Sequence, residues 1–168
     1  MKYQYAYITS FFVIFGMGFM NYSQSQNIRV LFNQSVDNSV SSITDAVQAV
    51  NIEDTICKYI DMANSSIDIA VWDNGSSKII QAINSAYNRG VVVRYISSSN
   101  SLNTALSNLN SGISVLERDA SVSTNVMHNK FVLIDDTFML TGSMNFGNGS
   151  MFDDYNNLVF IFDNTITQ

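Results

Sequence analysis

Short apolar runs alternate along this chain with longer stretches in which apolar residues recur at helical spacing. Runs rich in Ile, Val and Phe that are bounded by Asn, Ser and Gly are typical of buried strands. Apolar residues that recur every three or four positions after a capping residue indicate an amphipathic helix. The pattern predicts strands at residues 28–32, 67–72, 91–96, 113–116, 131–134, 137–141 and 157–162, and helices at 53–63, from Ser76 or Ser77 to Asn88, and at 101–110.

This order of elements predicts an α/β fold with a mainly parallel, mixed β-sheet that is flanked by helices. Strands that alternate with helices usually pair in parallel, because the chain crosses over the sheet between them. We assign residues 51–168 to this domain. Residues 26–50 are expected to form one strand and a lead-in rich in Ser and Asn.

The first 25 residues predict an export signal. Lys2 supplies a short positive start, and residues 5–20 form an apolar run interrupted only by Thr, Ser and Gly. The small residues at 23–25 offer a cleavage point. The alternative is an uncleaved membrane anchor, since the run approaches the length that spans a bilayer. Either reading places the folded part outside the cytoplasm, as a secreted or periplasmic protein.

Composition narrows the classes of chemistry. The net charge of the 168-residue chain is −6, and its eight Lys and Arg leave little material for a basic groove, which argues against tight, nonspecific binding of nucleic acid. The single cysteine, Cys57, excludes an internal disulfide and a cysteine-based metal site. The single histidine argues against a His-rich metal centre. We therefore predict no metal site.

The stretch from His128 to Asn145 concentrates the candidate chemistry. If Asp135 and Asp136 form a two-residue hairpin turn, Lys130 faces Thr141 and His128 faces Ser143. Side chains two residues apart share one face of a strand, so an imidazole, an ammonium, two hydroxyls and the amide of Asn145 would form one patch. Such a patch can hold an anionic phosphate and attack it with a ring nitrogen.

This stretch resembles the signature of the phospholipase D superfamily, and every fixed position matches at the family spacing. The signature is His-x-Lys, four residues, Asp, six residues, and Gly-Ser-x-Asn. The matching residues are His128, Lys130, Asp135, Gly142, Ser143 and Asn145. The resemblance implies a phospholipase D-like α/β sandwich for residues 51–168 and a phosphodiesterase that needs no metal or other cofactor.

The resemblance also implies a role for each residue. His128 would be the nucleophile that forms a phosphohistidine, and Lys130, Ser143 and Asn145 would hold the phosphate oxygens. Asp135 is grouped with His128 and Lys130 as catalytic, although its place at the turn indicates support of the network. Three further residues are expected to support the site: Gly142, by letting the substrate approach the backbone, Thr141, and Asn156, which stands where several relatives carry a Glu.

A single signature supplies one histidine, whereas the family uses two at each active site. We therefore expect a homodimer with the site on its two-fold axis. The alternative is that the chain is half of a longer protein with two signatures. The expected substrate is a phosphodiester, with phospholipid and nucleic acid both left open. The competing function is a catalytically idle module that binds phosphate-bearing ligands.

Overall fold

A computed structural model describes residues 27–34, 51–99, 102–118 and 126–163. In these segments a seven-stranded sheet has the order β1-β7-β6-β5-β2-β3-β4. The strands are β1 (Asn27–Phe32), β2 (Ser66–Val71), β3 (Val92–Ser98), β4 (Val115–Arg118), β5 (Lys130–Ile134), β6 (Phe138–Gly142) and β7 (Asn157–Phe162). The helices are α1 (Ile52–Asp61) and α2 (Ser77–Asn88), with a 3₁₀ turn at Leu106–Asn108 and a π-helical turn at Gly149–Asp153.

The prediction of an α/β fold with a mixed sheet is confirmed. Parallel pairing is restricted to β2 with β3 and β3 with β4, which follow the two crossovers of the chain. The remaining pairs, β1 with β7, β7 with β6, β6 with β5 and β5 with β2, are antiparallel. Parallel pairing, which we expected to predominate in the mixed sheet, is thus found in two of the six strand pairs.

The helices begin where polar side chains cap them. The Asn51 side chain accepts a hydrogen bond from the backbone N–H of Asp54 at the start of α1. The hydroxyl of Ser76 accepts one from the N–H of Ile79 and so decides between the two predicted caps of α2. The helix predicted at residues 101–110 is wrong in extent, because the structure forms only the three-residue 3₁₀ turn there.

One apolar core lies between the two helices and one face of the sheet. Alternate residues of β2, β5, β6 and β7 point to this face, and the buried stripes of α1 and α2 pack on them. The largest fully buried side chains include Ile56, Ile60, Ile67, Ile69, Ile79, Ile83, Tyr95 and Phe160. Burying these side chains stabilises the packing of the helices on the strands by ~25 cal/mol for each Å² of apolar surface removed from water.

The strand predicted before residue 51 lies in the sheet. All six residues of β1 pair with β7, from Asn27 with Phe162 to Phe32 with Asn157. This strand supplies a full neighbour to β7, and the domain boundary at residue 51 stays a prediction. The predicted export signal, residues 1–25, lies outside the described residues and remains a prediction. Within the described segments, no helix has the length and apolar character needed to cross a membrane.

The hairpin of β5 and β6 differs from the predicted one by a single residue. Ile134 pairs with Phe138, which leaves three residues in the connection instead of two. Asp135 and Asp136 both have φ of 53°, a left-handed conformation that aspartate tolerates better than most residues. The carbonyl of Thr137 accepts a hydrogen bond from the N–H of Asp163 on the β7 side, which gives Thr137 a partner outside the hairpin.

This shift of one residue changes which side chains share a face. Phe131, not Lys130, pairs with Thr141. Lys130 therefore lies on the core side with Val132, while Thr141 points to the opposite side. The predicted patch is wrong in this respect, although the Thr141 hydroxyl still donates a hydrogen bond to the Lys130 carbonyl at 2.9 Å.

Asp135 fixes the turn to the neighbouring loop. Its carboxylate accepts hydrogen bonds from the backbone N–H groups of Asn64, Ser65 and Ser66, at 2.7 to 3.2 Å, and from the hydroxyl of Ser65. Lys130 lies at the other end of β5, roughly 16 Å away at the rise of a strand. The structure thus separates Asp135 from His128 and Lys130, with which we grouped it, and its hydrogen bonds hold the turn against the neighbouring loop.

These hydrogen bonds predict a pH-dependent contribution to stability. Partial burial would raise the pKa of Asp135, but the three N–H donors and the Ser65 hydroxyl outweigh it and lower the pKa from 3.8 to about 2. The stabilisation is therefore complete above pH 3.8 and is lost as the pH falls towards 2. Asp135→Asn should lower the free energy of unfolding at pH 7 by about 1 kcal/mol, allowing for solvent screening.

Urea unfolding at pH 7, 4 and 2.5 would measure this contribution. The difference between parent and Asp135→Asn should shrink at the lowest pH. Asp136→Asn is the matched control, because Asp136 has the same φ of 53° and an exposed side chain. A difference that stays constant from pH 7 to pH 2.5 would show that the charge of Asp135 is not what stabilises the turn.

Candidate active site

The candidate side chains meet at one edge of the sheet. β2 and β6 end at this edge, whereas β5 and β7 begin there. Ligands of α/β proteins commonly bind where strands end in this way, because loops from several strands converge. His128 lies two residues before β5 and Lys130 is the first residue of β5, whereas Ser143 and Asn145 lie in the loop after β6.

His128 and Lys130 both contact Trp72, the residue directly after β2. The His128 ring meets the Trp72 ring edge-on, with centroids 5.3 Å apart, and its side chain is exposed. The Lys130 ammonium lies 5.9 Å from the Trp72 ring centroid, within the range of a cation–π contact, and donates a hydrogen bond to the His128 carbonyl at 3.0 Å. The structure thus brings these two residues together through a tryptophan.

A carboxylate accompanies the lysine. Burial raises the pKa of Asp73, and the positive charge of Lys130 opposes this shift. Partial burial lowers the pKa of Lys130, and the negative charge of Asp73 opposes that shift in turn. Each group therefore favours the charged form of the other.

Ser143 is held by the strand that follows. Its hydroxyl donates to the Asn156 side-chain oxygen at 2.8 Å and accepts from the Asn157 backbone N–H at 3.0 Å. The Asn156 amide also donates to the carbonyl and the hydroxyl of Ser150. Asn156 therefore supports Ser143 as a neutral hydrogen-bonding group, where a glutamate would add a negative charge.

Asn145 lies in a pocket beside Trp72. Its backbone N–H donates to the Ser150 hydroxyl at 2.9 Å, and its side chain is only 8% exposed. The pocket has a volume of about 380 Å³ and is walled by the loop after β2 and the loop after β6. Asn145 and Ser143 were predicted to act together, but they differ in location. Asn145 lines the pocket, whereas Ser143 is exposed and does not line it.

Gly142 is required by the pairing of β6 with β7. A Cβ atom at this residue would lie 2.2 Å from the carbonyl oxygen of Asn157, and the φ of Gly142 is 154°. Gly142 therefore lets β6 and β7 pair up to the edge of the site, and its predicted role in the approach of the substrate stays a prediction.

Sequence reasoning missed three contributors to this edge. Trp72 was predicted only as the last residue of a strand and Asp73 was given no role, although both directly follow β2 at the end where ligands commonly bind. Asn33 follows β1 and donates through its side chain to the carbonyls of Ser150, Met151 and Asp154. Nothing in the local sequence pattern pointed to Asn33, because its partners lie more than 110 residues away.

Among the described residues, no group of three or more His, Cys, Asp or Glu side chains is arranged to hold a metal ion. The side chains that meet at this edge are an imidazole, an ammonium, a carboxylate and two amides. An imidazole can act as a nucleophile, and an ammonium and amides can hold an oxyanion.

The sequence and the structure were both compared with those of known proteins. The profile of the family described as "Cardiolipin synthase, PLD-like domain" matches residues 56–168. The structure is similar to Nuc, a phospholipase D family member from Salmonella typhimurium, with 21% identity, coverage of 84% of this chain and 87% of that chain, and a TM-score of 0.64. No curated protein matches the sequence.

Two further solved structures share the fold. NucT from Helicobacter pylori is 18% identical, with 83% of this chain and 89% of that chain covered and a TM-score of 0.60. Phosphatidylserine synthase from Haemophilus influenzae is 18% identical, with 84% of this chain but only 35% of that chain covered and a TM-score of 0.56. At this level of identity the likeness establishes the fold alone.

The close approach of Gly147 to Asp73 can be tested by substitution. A Cβ atom at Gly147 would lie 2.5 Å from the Asp73 carboxylate, so Gly147→Ala should lower the free energy of unfolding by about 1–3 kcal/mol. In an Asp73→Ala background the same change should cost much less, because the clashing group is gone. Chemical denaturation of the four proteins in this cycle would measure the coupling.

Gly149→Ala is the matched control in the same loop, since the nearest atom to its added Cβ would be 3.9 Å away. It should be close to neutral in both backgrounds. If Gly147→Ala costs the same with and without the Asp73 carboxylate, the two residues are not in the contact described.

Proposed function

Because the chain belongs to the phospholipase D superfamily, we propose that it is a phosphodiesterase that works through a phosphohistidine at His128. The observation that carries this proposal is the meeting of His128 and Lys130 at the open edge of the sheet, on the same tryptophan. An exposed imidazole can reach phosphorus, and the adjacent ammonium can neutralise the charge that develops on the phosphate oxygens.

The phosphate would be held from two sides. Lys130 supplies a positive charge from β5, and Asn145 supplies an amide from the opposite loop. The Ser143 hydroxyl already donates to Asn156, so it reaches a phosphate oxygen only by giving up that bond. We therefore assign most of the phosphate binding to Lys130 and Asn145, and a smaller part of it to Ser143.

The reaction would proceed in two displacements. A ring nitrogen of His128 forms a bond to phosphorus while the bond from phosphorus to the first alcohol oxygen breaks, and a second imidazole gives that oxygen its proton. Water then attacks phosphorus, the N–P bond breaks, and a phosphate monoester leaves with the imidazole restored. Asn156 cannot balance an imidazolium as a glutamate would, so turnover should be slower than in a relative with the charged pair.

The second imidazole has to come from another copy of the signature. His128 is the only histidine of the 168 residues, so a symmetric homodimer with the site on its axis supplies it most simply. A second signature elsewhere in a longer chain would serve the same chemistry. The competing function is an idle binding module, which the neutral Asn156 favours because it removes the charge that would support an imidazolium.

Hydrolysis of bis(p-nitrophenyl) phosphate in the presence of a chelator tests the proposed chemistry. The parent should release p-nitrophenol without added metal, and His128→Ala should lower kcat by about three orders of magnitude or more, because the nucleophile is lost. Asn129→Ala is the matched control, since Asn129 is the exposed neighbour of His128. A parent that binds phosphate esters but never turns them over would establish the binding module instead.

Mixed dimers test whether two copies share one site. When parent and His128→Ala subunits are refolded together in equal amounts, about a quarter of random dimers keep both imidazoles, so activity should fall to about a quarter. Independent sites would leave about half of the activity. Residual activity near one half, in a preparation shown to be dimeric by sedimentation, would contradict the shared site. It would show that each subunit is active without the His128 of its partner.

A further inference from the structure

The backbone of Trp72 is held from two sides. Its N–H donates a hydrogen bond to the Asn129 carbonyl at 3.1 Å, which continues the pairing of β2 with β5 by one residue. Its carbonyl accepts a hydrogen bond from the Asn103 side chain at 3.3 Å. The same Asn103 amide donates to the hydroxyl of Ser97, near the end of β3, at 3.0 Å. Trp72 is therefore joined to β5 on one side and to β3 on the other.

The loop that begins with Trp72 is also joined to the loop after β6. The Ser76 N–H donates to the Phe146 carbonyl at 3.0 Å, and the Phe146 N–H donates to the Asp73 carbonyl at 3.0 Å. Asn145, one of the proposed phosphate ligands, directly precedes Phe146. Because these bonds fix the Trp72 backbone relative to both sides of the site, its ring is suited to positioning other groups.

The Trp72 ring contacts the two residues on which the proposed reaction depends. The exposed His128 ring meets it with 5.3 Å between centroids and 62° between the planes. The Lys130 ammonium lies 5.9 Å from its centroid. An exposed imidazole or a long ammonium side chain otherwise samples several rotamers. The shared ring restricts both side chains, and it restricts them relative to each other.

The neutral Asn156 does not orient the imidazole. Its side chain accepts a hydrogen bond from Ser143 and donates to Ser150. In the part of the chain that the structure describes, the His128 side chain forms an aromatic contact but no hydrogen bond. The orientation of the imidazole therefore depends on Trp72, at a site where several relatives carry a Glu in place of Asn156.

We propose that Trp72 is a positioning residue, which orients the imidazole of His128 and the ammonium of Lys130 towards the same phosphate. The assignment rests on the proposed phosphodiesterase function and adds to it a residue that lies outside the signature. The ring forms no bond to phosphorus and transfers no proton. It raises the rate because a nucleophile and a cation that are already aligned need less rearrangement to reach the transition state.

Replacement of the ring tests this role. Trp72→Leu keeps an apolar side chain and removes the aromatic contact. We expect it to lower kcat for bis(p-nitrophenyl) phosphate about a hundredfold, while KM changes less than about threefold, because alignment matters most in the transition state. Trp72→Phe keeps an aromatic face and should restore kcat to within about fivefold of the parent.

Phe162→Leu is the matched control, because it makes the same kind of change at the end of β7 that lies opposite the site, where Phe162 contacts Tyr59 and Phe138. Urea unfolding of each variant measures its stability, and Phe162→Leu should keep the kcat of the parent even if it unfolds more easily. An unchanged kcat in Trp72→Leu, or an equal loss in Trp72→Leu and Trp72→Phe, would overturn the positioning role.

The contact can also be observed without catalysis, because Trp72 is the only tryptophan and His128 the only histidine of the 168 residues. A protonated imidazole quenches the fluorescence of a neighbouring indole more strongly than a neutral one does, and histidine side chains generally change charge between pH 8 and 5. Emission of the parent should therefore fall by about a fifth or more from pH 8 to 5.5, and His128→Ala should lack this fall. Lys130, Asp73 and Asp154 also lie near the ring, but both proteins retain them, so the difference belongs to His128.

The two measurements separate this proposal from the proposed function. If the parent hydrolyses no diester but its quenching depends on His128, the phosphodiesterase proposal fails and the positioning of the imidazole by Trp72 stands. If diesters are hydrolysed through His128 but the emission of the parent and of His128→Ala depends on pH in the same way, the positioning by Trp72 fails alone.

Discussion

The register of β5 against β6 is the constraint on which the site depends. It is set by the three-residue connection at residues 135–137 and held by the Asp135 carboxylate, which accepts hydrogen bonds from three backbone N–H groups at the start of β2 and in the loop before it. Since residues one position apart point to opposite faces, this turn decides that Lys130 lies towards the core side. At the far end of the same strand, Lys130 then contacts Trp72 and is within electrostatic reach of Asp73. A residue at the turn thus helps to place one that is proposed to bind the substrate.

The loop after β6 is held in place by the neutral side-chain amides of asparagine residues. Asn33 and Asn156 both bind Ser150, Ser150 binds the backbone of Asn145, and Asn156 binds Ser143. These bonds link β1, β7 and the loop after β6 into one unit without an ion pair. A network of this kind fixes positions well but does not shift the charge state of an imidazole. It explains how the loop keeps its shape without the glutamate that several relatives carry, and why we expect slower chemistry.

Much of the fold could be predicted because it follows from local patterns. Alternating and helical spacing located the strands and both helices, and Ser76, one of the two predicted caps of α2, caps that helix. The hairpin register could not be predicted, since a two-residue and a three-residue turn fit the same aspartates. The membership of β1 in the sheet and the supporting role of Asn33 depend on partners far along the chain. Likewise, Asp73 became a candidate only when tertiary structure put it beside Lys130.

The central claim is that the imidazole of His128 forms a covalent bond to phosphorus. It can be tested directly by mixing the protein with bis(p-nitrophenyl) phosphate, quenching with alkali within the first turnover, and mapping the modified peptide by mass spectrometry. The expected result is one p-nitrophenyl phosphoryl group on His128, in step with the first release of p-nitrophenol. A burst of p-nitrophenol with the label on another residue, or with His128 unmodified, would contradict the claim.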